Sequence, residues 1–293
     1  MCSPNTPDIP ALFRFDIDGD IGSDPNALTL WFGQPDLGLP SKEYYGEKEI
    51  RDLYRTTIEK MLLTIMEAEE AETENGIKFP PWPWPPWGDD DDKKSENKTM
   101  KAARLSRQVL KFESDIAAAT ANLYISFLRS DKLFLTRHSR DALENPVATY
   151  NPMSFAKFQK KLPEVEFNNY IATFAPRSFP STVIVTYPPY IHKISTIISA
   201  ASMETIEAFL VARTALTLAP RLGTGTEAWK INRQLIEVLN GLKKGAVGDR
   251  AEWCVRAVDD ALGYASGRFF VARAFAGDSK QQAVSLISSV SPL

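Results

Sequence analysis

A chain of 293 residues, 44% apolar and 24% charged, has the balance of a globular protein with one large domain or two ordinary ones, which excludes wholesale disorder. A net charge of −3 and a pI near 5.6 argue against a nucleic-acid binder, which concentrates basic residues on one surface. Two cysteines, Cys2 and Cys254, exclude a disulfide-stapled miniprotein and a cysteine zinc ribbon.

Met1 to Pro7 lacks the basic start and apolar run of a secretory signal. No uncharged stretch reaches the roughly 18 residues that cross a bilayer, so no targeting or membrane segment is expected in this sequence. Leu12 to Ile17 and Ala27 to Phe32 flank a turn rich in Gly and Asp, which predicts a small β-hairpin near the N-terminus. After a stop at Gly38 to Pro40, Ile50, Leu53, Tyr54, Ile58, Met61, Leu62 and Ile65 recur at helical spacing between Glu47 and Glu74. Phe79 to Lys94 interrupts the helical pattern, because the prolines from Pro80 to Pro86 lack amide donors and restrain the residues before them. With the acidic run Asp89 to Asp92 it predicts an exposed loop over 79–97, extended as polyproline II, a spacer rather than a ligand for an aromatic-lined groove.

A second long helix is expected from Lys98 to about Leu128, with Leu105, Val109, Phe112 and Ile116 on its apolar face. Shorter helices follow at about 153–162 and 164–174. Val183 to Tyr187, ended by Pro188-Pro189, reads as a short strand or an extended connector. Helices are then expected at about 190–200, 203–218, 226–243, 249–275 and 279–290. In 249–275, Ala251, Val255, Val258, Leu262, Ala265 and Phe269 form one apolar stripe, and Gly263 and Gly267 admit a close neighbour. The expected fold class is mainly α, multi-helix lobes with a small hairpin: a first helical lobe over 10–120 and a second helical region over 121–293.

Few motifs carry chemistry. Asp16, Asp18 and Asp20 alternate as in a calcium loop, but Ile21 and Ala27 stand where that loop needs Gly and Glu, so a polar turn is expected. Gly223 to Ala228 has the loose glycine spacing of a dinucleotide loop, yet it follows a helical pattern rather than a strand, which leaves a loop between helices. His138 and His192 are the only imidazoles, neither with a second histidine at helical spacing, so no metal site and no catalytic residue is assigned. Cys254, beside the apolar stripe, is expected in packing or in a disulfide rather than as a nucleophile. Lys101, Arg104, Arg107 and Lys111 read as a solvated basic edge. Asn97-Lys98-Thr99 is the one N-glycosylation sequon, meaningful if the protein is secreted.

Five segments in order resemble the N-terminal, non-catalytic region of the neprilysin and endothelin-converting enzyme family of zinc metallopeptidases. They are Gln34 to Tyr45, Tyr150-Asn151-Pro152-Met153-Ser154, Val183 to Tyr190, Trp253-Cys254-Val255, and Gly267 to Lys280. The Pro/Trp/Asp insertion departs from that pattern. The resemblance covers about residues 10 to 290 and implies two largely helical lobes around a chamber that restricts entry to short peptides. It implies zinc and peptide substrates for the complete enzyme, and a secreted or membrane-anchored ectodomain. It also implies a disulfide from Cys254 to a residue outside this stretch. The H-E-x-x-H helix that such zinc chemistry needs is absent from the sequence. The expectation is therefore a chamber-forming region, inactive by itself; the alternative is a free-standing helical protein that binds peptides or a partner.

Overall fold

The computed structural model describes residues 9, 11–24, 26–74, 97–120, 146–174, 180–243, 250–274 and 277–290. Its contacts fall into two units, one within Asp8–Asn240 and the other within Gly241–Leu293. The chain is mainly α with one small sheet. The 79–96 part of the expected loop and His138 lie outside the described residues.

In the larger unit, β1 (Arg14–Gly19) and β2 (Leu28–Gly33) form the expected antiparallel hairpin, with Phe15 opposite Phe32. Its turn is polar: Asp20 donates its amide to the Ala27 carbonyl at 2.9 Å, and the Asp24 carboxylate accepts the Asn26 amide at 3.0 Å. The hairpin continues into a four-stranded sheet of order β1-β2-β4-β3. β4 (Thr182–Val185) runs parallel to β2, with Phe32 beside Val185, and β3 (Pro152–Ser154) is antiparallel to β4. A parallel pair needs a long crossover, here the chain between the two strands, which includes the two long helices.

Those helices are α1 (Lys48–Glu74) and α2 (Lys98–Ala119), packed on each other. Tyr54, Ile58, Met61 and Leu62 of α1 and Leu105, Val109, Phe112 and Ile116 of α2 are buried, the residues their helical periodicity singled out. α2 ends at Ala119 rather than near Leu128. Thr120 leaves the helix with φ −71° and ψ 152°, and its hydroxyl donates back to the Ala117 carbonyl at 2.8 Å. Such local hydroxyl bonds compete with continuation of a helix.

Beyond them come the single turn α3 (Pro146–Thr149), α4 (Phe155–Lys161) and α5 (Phe167–Phe174). α6 (Pro188–Ala200) and α7 (Met203–Leu218) follow, then a 3₁₀ turn at Ala219–Arg221 and α8 (Glu227–Leu239). α7 packs on α1 and α2, and α8 on α1, so the core of the first helices is completed by later ones. One aromatic cluster fills the sheet's inner face. Phe158 lies 4.8 Å from both Phe32 and Phe167, centroid to centroid, with Phe13, Phe15 and Tyr170 around them. Offset and edge-on contacts of this kind add to the burial of the rings.

The smaller unit contains α9 (Arg250–Ala274) and α10 (Ser279–Val290), separated at Gly277, whose φ of 64° suits a residue without Cβ. α9 is broken at Leu262 (φ −133°, ψ 23°), which interrupts the expected apolar stripe. Val255, Val258, Leu262 and Phe269 are exposed, so the unit's own two helices do not cover that stripe.

Candidate functional site

The densest polar chemistry among the described residues is buried. Glu113 sits on the apolar side of α2 between Phe112 and Ile116, only 1% exposed. One carboxylate oxygen accepts the Gly38 amide at 2.8 Å and the other accepts the Tyr54 hydroxyl at 2.8 Å. Arg213 of α7, also buried, brings Nη1 to 3.7 Å from Glu113 Oε1 and donates from Nη2 to the Asp36 carbonyl at 3.0 Å. Its Nε has no hydrogen-bond partner among the described residues. Tyr45 completes the group by accepting the Leu39 amide at 3.3 Å.

This cluster ties the Gln34–Pro40 segment to α1, α2 and α7. Gly38 is required by close approach: a Cβ there would lie 1.9 Å from the Tyr54 hydroxyl and 2.7 Å from both Arg213 Nη1 and Glu113 Oε1. Burial raises the Tyr54 and Tyr45 phenols well above the usual value, and the neighbouring Glu113 carboxylate pushes them further. Burial pushes the Arg213 pKa down, but the Glu113 carboxylate together with Tyr54 and Tyr45 outweighs it, and the guanidinium stays charged. With both carboxylate oxygens engaged and no exposed face, the arrangement positions backbone; it does not present a general base.

A second polar group lies on the surface. Glu164 accepts hydrogen bonds from Ser195 at 2.8 Å and Ser199 at 2.7 Å, one turn apart on α6. Partial burial would raise its pKa, but the bonds from Ser199 and Ser195 outweigh it and hold the carboxyl below its usual value. A lowered carboxyl stabilises the fold above its unfolded pKa, and that contribution disappears as pH falls through the folded value. Ser195→Ala with Ser199→Ala should therefore raise the Glu164 pKa, read from its side-chain carbon shifts in an NMR titration; an unmoved midpoint contradicts this.

The residues singled out in the sequence do not converge. His192 is exposed on α6. Asp20 accepts the Tyr150 hydroxyl at 2.7 Å, and Asp16 pairs with Arg14, so the alternating acids serve the hairpin. Gly223 to Thr226 is a loop between the 3₁₀ turn and α8, with the Thr226 hydroxyl capping Trp229. Arg104, expected on a solvated edge, instead makes a bidentate pair with Glu204 of α7 at 2.9 and 3.0 Å. Cys254 is an exposed thiol on α9. Asn97 is exposed at the start of α2. Among the described residues no three His, Cys, Asp or Glu side chains are grouped to hold a metal ion, and no single helix is long and apolar enough to cross a membrane.

Sequence reading missed the buried cluster. Its signals were present: Glu113 falls four residues after Val109 on the apolar face of α2, and Arg213 is the only charge between Ala208 and Leu218. An isolated charge at a core position needs a partner.

Two more of the motif segments have structural roles. Asn151 donates from Nδ2 to the carbonyls of Ala148 and Val185 and accepts the Val185 amide at its own carbonyl, locking β3 to β4. Pro188 and Pro189 open α6, and Tyr190 donates its hydroxyl to the Leu12 carbonyl at 2.6 Å.

Membrane metallo-endopeptidase-like 1 of Mus musculus is 24% identical over 274 residues, covering 89% of this chain and 30% of the relative. The Homo sapiens protein of the same name is 23% identical over 276 residues, covering 89% and 29%. In fold, the chain matches Mycobacterium tuberculosis zinc metalloprotease Zmp1 in its open state with a TM-score of 0.63 at 19% identity, covering 94% of this chain and 36% of that one. PepO from Lactobacillus rhamnosis matches with a TM-score of 0.61 at 16% identity, covering 94% and 36%. The chain spans about a third of the length of the relatives it matches. The family model described as Peptidase family M13 matches residues 5–291. The chain belongs to peptidase family M13, as its N-terminal domain.

Proposed function

We propose that this chain is the chamber-forming region of a neprilysin-like zinc metalloendopeptidase. It shapes and restricts the access of short peptides, and the hydrolytic chemistry belongs to the complete enzyme. The observation that carries this reading is the family match over residues 5–291 in a chain spanning about a third of its relatives' length.

Zinc is implied for the complete enzyme by the family and by the neighbour described as a zinc metalloprotease. The described residues do not fit that ion. A catalytic zinc takes three protein ligands and an open position, whereas His192 stands alone on α6 and both oxygens of Glu113 are already engaged. No step of proteolysis is assigned to these residues. They act through position: the buried cluster fixes the Gln34–Pro40 segment, and the sheet fixes the start of α6. Peptides are the substrates this reading implies, and an extracytoplasmic or membrane-anchored ectodomain is the setting implied by the membrane metallo-endopeptidase-like relatives.

A tag placed at the chromosomal locus tests the reading. The isolated product should carry zinc and cleave short peptides in a chelator-sensitive way. A product that holds peptides without zinc and without cleavage would instead identify a binding protein and overturn the peptidase reading.

A further inference from the structure

Asn97 has two different atoms available for two different tasks. Its backbone is extended (φ −62°, ψ 139°), its side chain is exposed, and its Oδ1 accepts the Thr99 amide at 3.2 Å as the N-cap of α2. The cap uses the amide oxygen, whereas a glycan is attached through the amide nitrogen. Thr99 is divided in the same way: its backbone N–H makes the cap, and its side-chain hydroxyl completes the Asn97-Lys98-Thr99 sequon. Thr99 and Met100 are exposed, and burial along α2 starts only at Ala102, one turn further in. A sugar at this position is therefore left outside the core when α2 packs.

We propose that Asn97 is an N-glycan acceptor whose modification leaves the cap of α2 in place. The donor is a lipid-diphosphate-linked oligosaccharide. A bond forms between Asn97 Nδ2 and the sugar C1, the bond from C1 to the diphosphate oxygen breaks, and the lipid diphosphate leaves with the electron pair. One amide proton passes to a base of the transferase. The product is a secondary amide whose oxygen still accepts the Thr99 N–H, so the charge and polarity of the helix start do not change. A replacement lacking a side-chain oxygen would remove the cap, a bond worth a measurable fraction of helix stability.

The inference shares with the proposed function only passage through the secretory route, and its test does not read proteolysis. The full chain, behind a cleavable secretion signal, is translated with endoplasmic-reticulum microsomes, and imported chains are identified by loss of the signal. Wild type and Thr99→Ser should show a single upward shift that peptide N-glycosidase removes. Thr99→Ala and Asn97→Asp should lose it. Imported wild-type chains without the shift, or a shift that survives Thr99→Ala, overturn the acceptor. In purified protein, Asn97→Asp should melt with wild type, and Asn97→Ala should melt about 2–4 °C lower. A glycosylated wild type that melts as low as Asn97→Ala overturns the claim that sugar and cap coexist.

Discussion

Replacing Glu113 by glutamine is expected to destabilise the Asp8–Asn240 unit by about 3–5 kcal/mol, the cost of breaking a buried ion pair from one side. The amide can still accept from Gly38 with its oxygen and donate to the Tyr54 hydroxyl with its nitrogen, so the two short hydrogen bonds at 2.8 Å are both replaceable. What glutamine cannot replace is charge. Arg213 would remain buried with Nη2 on the Asp36 carbonyl, Nε without a partner, and no carboxylate beside it. Urea unfolding should show a lower midpoint with an unchanged slope. A loss under about 1 kcal/mol would mean that the 3.7 Å pair contributes little. The double change Glu113→Met with Arg213→Met should recover part of the deficit, because it removes both charges together.

Raising the pH through about 10 to 11 is expected to unfold the same unit steeply, because three buried tyrosines keep their protons in the fold. Tyr45, Tyr54 and Tyr190 all have pKa values raised by burial, with the Glu113 carboxylate adding to the first two. An unfolded phenol ionises near about pH 10. Above that value the unfolded chain releases protons that the folded chain retains, so stability falls as pH rises and goes on falling toward the folded pKa. Each such tyrosine contributes a slope of about 1.4 kcal/mol per pH unit, and three together about 4. Urea midpoints between pH 9 and 11, followed with phenolate absorbance, give the slope directly. Tyr190→Phe should remove about a third of the slope, along with the bond to the Leu12 carbonyl. A flat profile to pH 11 would contradict the burial of these hydroxyls.

The helices were legible because their cores repeat at 3.6 residues. Tyr54, Ile58, Met61 and Leu62, and Leu105, Val109, Phe112 and Ile116, are both the periodic residues and the buried ones. Helix ends were less legible. Pro188-Pro189 reads equally as the stop of a strand and as the start of a helix, because a missing amide does no harm in the first turn; in the structure the strand already ends at Val185 and Pro188 opens α6. The break at Leu262 is marked only by Gly263 beside it, in an apolar stripe that runs evenly through it. The sheet was half legible. The hairpin is local, whereas Phe32 beside Val185 is a contact across more than half the chain, which no local pattern encodes.

Family resemblance located the segments that matter without giving their reasons. Gln34 to Tyr45 is held by Glu113 and Arg213, two charges on faces otherwise apolar, and their partners come from three separate helices and a loop. Periodicity flags each charge as out of place but cannot pair them. Asn97 is the opposite case: its sequon is fully local, and the structure adds that the capping oxygen and the acceptor nitrogen are separate atoms.

The central claim is that this domain shapes a peptidase without holding its reactive centre. It is tested most directly by loading the purified 293-residue chain with zinc, removing free metal, and measuring bound zinc and cleavage of short peptides together. The account predicts far less than one zinc per chain and no chelator-sensitive cleavage. Near-stoichiometric zinc with chelator-sensitive turnover would contradict it.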